Sequence, residues 1–159
     1  MHLCLATNQR LARMNRSTTS LCTNCDGDFN QTPLHMFYEC GNIRPLFSWL
    51  LRVLLHICNF KPTSHIKFLY FDTTYENCYQ KVVCNMFLYV YILTIWRNRK
   101  ENLRIGIMKS IIVNKLLDHL NFIKVLRNFK LDDVFQKIMR LDIENLKNLW
   151  FSVLLFLAT

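Results

Sequence analysis

Four residues near the start of the chain carry side chains that commonly bind zinc in proteins. Two residues separate Cys22 from Cys25, nine separate Cys25 from His35, and four separate His35 from Cys40. Zinc takes four thiolate or imidazole ligands in a tetrahedral arrangement at about 2.0–2.3 Å. The spacing therefore predicts one structural zinc ion, held by three thiolates and one imidazole within a segment of nineteen residues.

Each half of this ligand set requires its own local structure. A Cys-x-x-Cys pair fits one tight turn, and Asn24 suits that turn because asparagine tolerates left-handed backbone geometry. The second half predicts a short helix, marked by Thr32 as N-cap, Pro33 in the first turn and Gly41 just beyond the end. Five positions amount to about 500° of ideal helical rotation, so His35 and Cys40 face one ion only if the last turn loosens or ends there.

A simpler interpretation of the same residues is three buried free cysteines and a core histidine. Buried cysteine is common, and a lone histidine indicates little. The order of the residues, their compactness and the turn signals around them favour a ligand set. The nine-residue gap is longer than that of a retroviral knuckle and shorter than that of a two-histidine finger, so neither way of reading nucleic acid can be transferred to this chain.

The residues around the ligands resemble a known family. LATNQRL (residues 5–11) precedes them, QTPLHMFYEC (residues 31–40) contains the second pair, and an aromatic-rich helix is predicted to follow. This pattern resembles the zinc-binding domain found downstream of the polymerase in non-LTR retrotransposon reverse transcriptases. The resemblance is close from Leu5 to about Leu51 and loose beyond, although residues 95–98 (IWRN) are similar to a later helix of the family. Gln31 stands where the family often has Glu, at a position that is not a ligand.

The resemblance implies a function without chemistry of its own. It implies a module that grips template RNA or target DNA near the polymerase during target-primed reverse transcription. Neither a polymerase nor an endonuclease fits in the few residues before Leu5, so the chain looks like a detached C-terminal piece of such an enzyme. RNA or DNA, and the polymerase part of a parent protein, are then the expected partners.

The distribution of charge also points to a polyanion. The formal net charge is +9; residues 1–25 hold three arginines and no acid, and residues 96–130 hold nine Lys and Arg against two acids. Neutralised phosphates release counterions and give affinity that is independent of sequence. The alternative is an ordinary solvated helix face. The residues predicted to contact nucleic acid are Arg10, Arg13, Arg16, Arg97, Arg99 and Lys100.

Composition predicts a mainly α protein. Apolar residues make up 52% of the chain and charged residues 19%, which excludes wholesale disorder, and only three Gly and three Pro are available for turns. We expect a short zinc-stapled N-terminal module with its following helix over residues 1–60. A bundle of amphipathic and buried helices over residues 61–159 is expected to pack as one unit with it.

Cysteine usage bears on the cellular compartment. The chain has seven cysteines, an odd number, and does not open with a secretory leader, so a disulfide framework is not expected. We expect an intracellular protein, in the cytoplasm or nucleus. The cysteines outside the ligand set are predicted to be small core residues: Cys4, Cys58, Cys78 and Cys84.

Capping residues and periodicity predict most of the helix boundaries. Thr7 is expected to cap a helix from Asn8, and Asn42 a helix over 43–58. An extended piece is expected over 65–71, followed by a capping box at 73–76 that opens a long helix through Trp96. An amphipathic helix over 105–128 and two last helices, beginning near Asp132 and Asp142, complete the prediction.

The sequence raises two other function classes. The apolar run 82–96 suggests a small membrane-associated protein, but fifteen helical residues reach only about 22 Å, short of a ~30 Å hydrocarbon core. The pair Asp132-Asp133 opens an apolar-periodic helix instead of following an aromatic residue on a hairpin, so a polymerase-type metal site is not predicted. A structural or protein-interaction zinc module remains the main alternative to nucleic-acid binding.

Overall fold

The computed structural model describes residues 6–25, 28–101 and 104–125, and this part of the chain is mainly helical. The chain divides into two compact units, Met1–Ile105 and Gly106–Thr159. The helices are α1 (Asn8–Arg13), a π-helix (His35–Glu39), α2 (Arg44–Cys58), α3 (His65–Leu69), α4 (Cys78–Asn98) and α5 (Ile105–Val125). The predicted fold class is confirmed, because a Cys/His segment near the N-terminus is followed by helices and the described residues contain no strand beyond one isolated bridge.

Helix α2 follows directly from the sequence pattern. Its apolar side chains recur at three- and four-residue spacing, so one face is buried and the opposite face is mostly polar, with Leu55 exposed on it. Pro45 lies in the first turn, where its missing N–H costs nothing, and Asn59 ends the helix in left-handed geometry with φ of 50°. The buried residues are Leu46, Phe47, Leu50, Val53, Leu54 and Ile57.

Helix α4 is the central element of the first unit. Its buried residues lie on most sides of the helix, which is typical of a core helix. By length and composition alone it is also the one described helix that could cross a membrane, and 56% of its apolar window is buried inside the fold. Its buried members are Gln80, Val83, Cys84, Phe87, Leu88, Val90, Tyr91, Thr94 and Ile95.

The π-helix, α2 and α4 contact one another and enclose the core of the first unit. Phe47 of α2 lies at the meeting point, with its ring centroid 5.1 Å from that of Tyr38 and 5.8 Å from that of Tyr91. Both pairs are edge-to-face, the arrangement that aromatic quadrupoles favour. His65 and Phe68 of α3 extend the same cluster. The short π-helix is therefore held by aromatic side chains from three other helices.

Two predicted elements between α2 and α4 are wrong. The expected extended piece over 65–71 is the short helix α3, because the hydroxyl of Ser64 accepts a hydrogen bond from the N–H of Lys67 and caps it. The long helix begins at Cys78 instead of at the expected capping box over 73–76. Asn77 caps it by accepting from the N–H of Gln80, and asparagine is a better N-cap than threonine.

Helix α5 belongs mainly to the second unit and begins at Ile105, as predicted. Met108, Ile112 and Leu116 are buried at four-residue spacing, and Val113 is buried next to Ile112. The predicted extension of this helix to Asn128, and the two helices predicted near Asp132 and Asp142, lie outside the described residues.

Candidate metal centre

The structure brings the four predicted ligands together. One donor atom each from Cys22, Cys25, His35 and Cys40 lies within 4.8 Å of all the others, and the Cys25 Sγ and His35 Nε2 atoms are 3.4 Å apart. Ligand atoms about 2.0–2.3 Å from one ion in tetrahedral geometry lie roughly 3.3–3.8 Å from each other. The Cys25–His35 pair already has that separation, and no other pair exceeds this range by more than about 1 Å. The cluster is therefore close enough to hold a metal ion.

A short hairpin carries the first two ligands. The N–H of Cys22 donates to the carbonyl oxygen of Phe29, and the N–H of Gln31 donates to that of Ser20, both at 2.8 Å. Between these bonds the backbone bends over residues 23–25. The N–H of Asn24 donates to the Cys22 sulfur at 3.4 Å, which orients the thiol toward the centre of the turn. A backbone donor of this kind favours the thiolate form that a metal requires.

The second pair of ligands lies on a widened helical turn. Thr32 is the predicted cap, and its hydroxyl accepts a hydrogen bond from the N–H of His35 at 3.0 Å. The N–H of Cys40 donates to the carbonyl oxygen of His35 at 2.8 Å, a bond that spans five residues and defines the π-helix. Because a π-turn holds more residues than an α-turn, positions five apart return to the same side. The widened turn therefore lets His35 and Cys40 face the same side although an ideal α-helix would rotate them apart.

Two expectations about this turn chemistry are wrong. Asn24 does not have a positive φ, so left-handed geometry plays no part in the Cys-x-x-Cys turn, whereas Gly41 lies just beyond the end of the helical turn, as predicted. Asn42 does not cap α2, whose N-cap position is Ile43. Instead, the N–H of Asn42 hydrogen-bonds to the Cys40 sulfur, and its side-chain amide donates to the carbonyl oxygen of Asn24. Asn42 thus links the two halves of the ligand set.

Burial shifts the protonation of the ligand side chains toward their neutral forms. Burial raises the pKa of Cys22 and raises that of Cys40 to about 12, partly opposed by the N–H groups of Asn24 and Asn42. Burial also lowers the pKa of His35, against the effect of the nearby Glu39 carboxylate, and so favours the neutral imidazole that a metal binds. Thiols buried with no cation stay protonated, so metal binding must displace their protons.

An aromatic residue beside the ligands was missed by the sequence analysis. The ring of Phe29 stacks on that of His35, with centroids 5.5 Å apart and an interplanar angle of 26°. Phe29 is nevertheless 61% exposed, and Leu21 beside it is also exposed. No sequence signal marks Phe29, because its position depends on the hairpin that places it over the imidazole.

The predicted phosphate contacts lie on two elements. Arg10 and Arg13 are exposed on α1 and Arg16 is exposed just after it. None of the three forms an ion pair with a residue that the structure describes. At the end of α4, Arg97 and Lys100 are exposed, whereas the guanidinium of Arg99 lies 3.8 Å from the centroid of the Trp96 ring.

Helix α1 is attached to the ligand hairpin. The N–H of Asn8 donates to the side-chain oxygen of Gln31 at 3.0 Å, and the Asn8 side chain donates to the carbonyl oxygen of Leu21 at 2.9 Å. Gln31 and Thr7 are buried at this contact. The arginines of α1 are therefore carried by the same local structure as Cys22 and Cys25.

The other cysteines lie apart from the centre. Cys84 is buried, as predicted, and Cys58 is half-buried with its sulfur 3.8 Å from that of Cys84. Cys78 is exposed at the start of α4, so the prediction that it is a core residue is wrong. Cys4 lies outside the described residues. In the part of the chain that the structure describes, the four-ligand cluster is the one group of three or more metal-binding side chains found together.

The fold and the site together define a mainly helical protein with a Cys3His centre able to hold one metal ion. No protein family, curated protein or solved structure matches this chain.

Proposed function

We propose that this protein is a zinc-stabilised nucleic-acid-binding module of the kind carried by non-LTR retrotransposon reverse transcriptases. The observation that carries the proposal is the convergence of Cys22, Cys25, His35 and Cys40 on one point. Thiolate and imidazole ligands in this combination suit Zn²⁺ better than the oxygen-preferring Mg²⁺ or Ca²⁺. The role assigned to the ion is structural, because four protein ligands complete its coordination.

Zinc at this centre would contribute folding free energy to the first forty residues. The four ligands join the hairpin to the π-helix, because two of them come from each side. In small metal-stapled segments the free energy of metal binding is also free energy of folding. Chelation should therefore loosen this segment before it loosens α2 and α4.

The proposed nucleic-acid surface combines charge with an aromatic ring. Arg10, Arg13 and Arg16 are exposed on the segment that Asn8 attaches to the hairpin, and Phe29 is exposed on the hairpin itself. Exposed arginines supply contacts to phosphates, and an exposed aromatic ring offers a face on which a base can stack. This combination favours a single-stranded partner with little sequence preference.

The first experiment tests the metal. Replacing Cys25 with Ser removes one thiolate and should abolish stoichiometric zinc in the purified chain, as measured by metal analysis. Hydrogen exchange should speed up over residues 6–41 in the same variant. Cys78→Ser is the matched control, because Cys78 is exposed and distant in sequence from the ligands. Zinc retained at one ion per chain by Cys25→Ser would refute the assigned ligand set.

The second experiment tests the nucleic-acid partner through salt. The affinity of wild type for a labelled single-stranded oligonucleotide should fall steeply between about 50 and 200 mM salt. In the double variant Arg10→Ala/Arg13→Ala, the slope of log affinity against log salt should shrink by about 1.4, or about 0.7 for each phosphate that is no longer neutralised. Arg52→Ala, a change on α2, should leave that slope unchanged.

A protein-interaction module is the second candidate, and the exposed apolar side chains of α4 favour it. Val82 and Tyr89 are exposed, and Met86 and Leu93 are half-buried, at three- and four-residue spacing. Binding through such a face depends little on salt. Oligonucleotide affinity too weak to measure at about 50 mM salt would reject nucleic-acid binding in favour of this alternative.

A further inference from the structure

A hydroxyl from the centre of the fold reaches the helical turn between two of the ligands. Tyr91 of α4 is fully buried, and its hydroxyl donates a hydrogen bond of 2.6 Å to the carbonyl oxygen of Phe37. Phe37 is the middle residue of the π-helix and lies between His35 and Cys40. The bond therefore acts on the turn whose width decides whether those two side chains face one ion.

The carbonyl of Phe37 needs a donor from outside its own helix. The helix ends at Glu39, and the last carbonyl groups of any helix have no N–H from a following turn. The N–H of Asn42, five residues further on, hydrogen-bonds to the Cys40 sulfur instead. Because Phe37 is buried, water cannot easily take the place of that donor.

The ring of Tyr91 is held independently of its hydroxyl. It packs edge-to-face on Phe47 of α2, with centroids 5.8 Å apart, inside the core of the first unit. Phenylalanine at position 91 can keep this packing while losing only the oxygen atom. A single-atom change therefore separates the hydrogen bond from the rest of the core.

We propose that Tyr91 is a positioning residue of the metal centre. Its hydroxyl holds the π-turn open at the width that places His35 Nε2 and Cys40 Sγ on the same side, and thereby sets metal affinity and ligand geometry without touching the ion. The inference rests on the zinc centre proposed above and adds a residue that lies more than fifty positions from the nearest ligand in sequence.

The coupling works in both directions. If the hydroxyl favours the metal-binding form of the turn, metal binding favours the hydrogen-bonded position of Tyr91 by the same free energy. Metal at the centre should therefore slow the opening of α4 near Tyr91 as well as that of the π-helix itself.

The test compares Tyr91→Phe with Tyr75→Phe in the full chain. Tyr75 is the matched control because its hydroxyl also makes a short hydrogen bond, 2.7 Å to the side-chain oxygen of Asn85, away from the ligands. Zn²⁺ affinity is measured by competition with a chelator, and ligand geometry by the visible absorption of the Co²⁺ form. Tyr91→Phe should bind Zn²⁺ about tenfold more weakly and alter the Co²⁺ bands. Tyr75→Phe should match wild type within about twofold.

The outcomes separate this inference from the proposed function. A wild-type chain that binds no Zn²⁺ overturns the zinc centre itself. If wild type binds Zn²⁺ but Tyr91→Phe keeps the wild-type Zn²⁺ affinity and Co²⁺ spectrum, only the positioning role of Tyr91 is overturned. The same holds if Tyr75→Phe loses as much Zn²⁺ affinity as Tyr91→Phe.

A measurement on wild type covers the case in which Tyr91→Phe fails to fold. Hydrogen exchange should slow on adding Zn²⁺ both over residues 35–40 and around Tyr91, relative to α3. Equal exchange around Tyr91 with and without Zn²⁺ would overturn the role.

Discussion

Two asparagines give the metal centre its symmetry at the scale of single residues. Each follows a ligand cysteine by two positions, in Cys22-Thr23-Asn24 and in Cys40-Gly41-Asn42, and each directs its backbone N–H to the sulfur of that cysteine. The Asn42 side chain then bonds to the carbonyl oxygen of Asn24 and joins the two turns. The ligands thus receive support from residues that never contact the ion.

Asn42→Ala should weaken the centre while leaving every ligand in place. The variant keeps the N–H donated to Cys40 but loses the amide bond to Asn24, so we expect zinc affinity to fall about tenfold in a chelator competition. Gly41→Ala is the control, since an added Cβ meets no atom within 4 Å and φ at this position is not positive. Equal affinity of the two variants would contradict the linking role of Asn42.

The ligands were predictable from sequence and their supporting residues were not. Metal chemistry restricts a ligand to a few residue types, so Cys22, Cys25, His35 and Cys40 stand out by type and spacing alone. Both asparagines use backbone N–H groups, which every residue except proline carries, and Asn42 adds a side-chain bond. The repeated Cys-x-Asn pattern was the available signal, but turn propensity suggested left-handed geometry instead.

At the scale of elements, local competition among capping residues decides where helices begin and end. Thr7, Thr32 and Pro45 lie where the sequence predicts them, although Asn42, the predicted cap of α2, does not cap it. Between α2 and α4 several residues able to cap a helix lie close together, and Ser64 and Asn77 are the ones that do so. The π-helix was not predicted as such, although the need for a loosened turn between His35 and Cys40 was.

Asn59 ends α2 in left-handed geometry, and this conformation makes a simple prediction. Alanine tolerates a positive φ less well than asparagine, so Asn59→Ala should lower the free energy of unfolding by about 1 kcal/mol in urea titrations of the metal-loaded protein. Asn59→Gly should be neutral or slightly stabilising, because glycine adopts this geometry freely. A loss of equal size in both variants would point to a role for the Asn59 side chain instead.

At the scale of the whole molecule, composition and periodicity were sufficient to predict a mainly helical protein. They could not predict how the π-helix is held against α2 and α4. That packing depends on Phe47 and on the bond between Tyr91 and Phe37, whose partners are 54 residues apart. Periodicity identifies which face of a helix is buried, but not which distant residue lies against it.

The two hydrogen bonds of Asn8 have a consequence for regulation. They anchor the arginine-bearing helix α1 to the very loop that the ligands close, although no arginine is itself a ligand. Removing the ion would release the hairpin and with it the fixed spacing of those positive charges. Under the proposed function, zinc availability would then regulate affinity for polyanions, and a chelator would lower that affinity without competing for the proposed phosphate-binding surface.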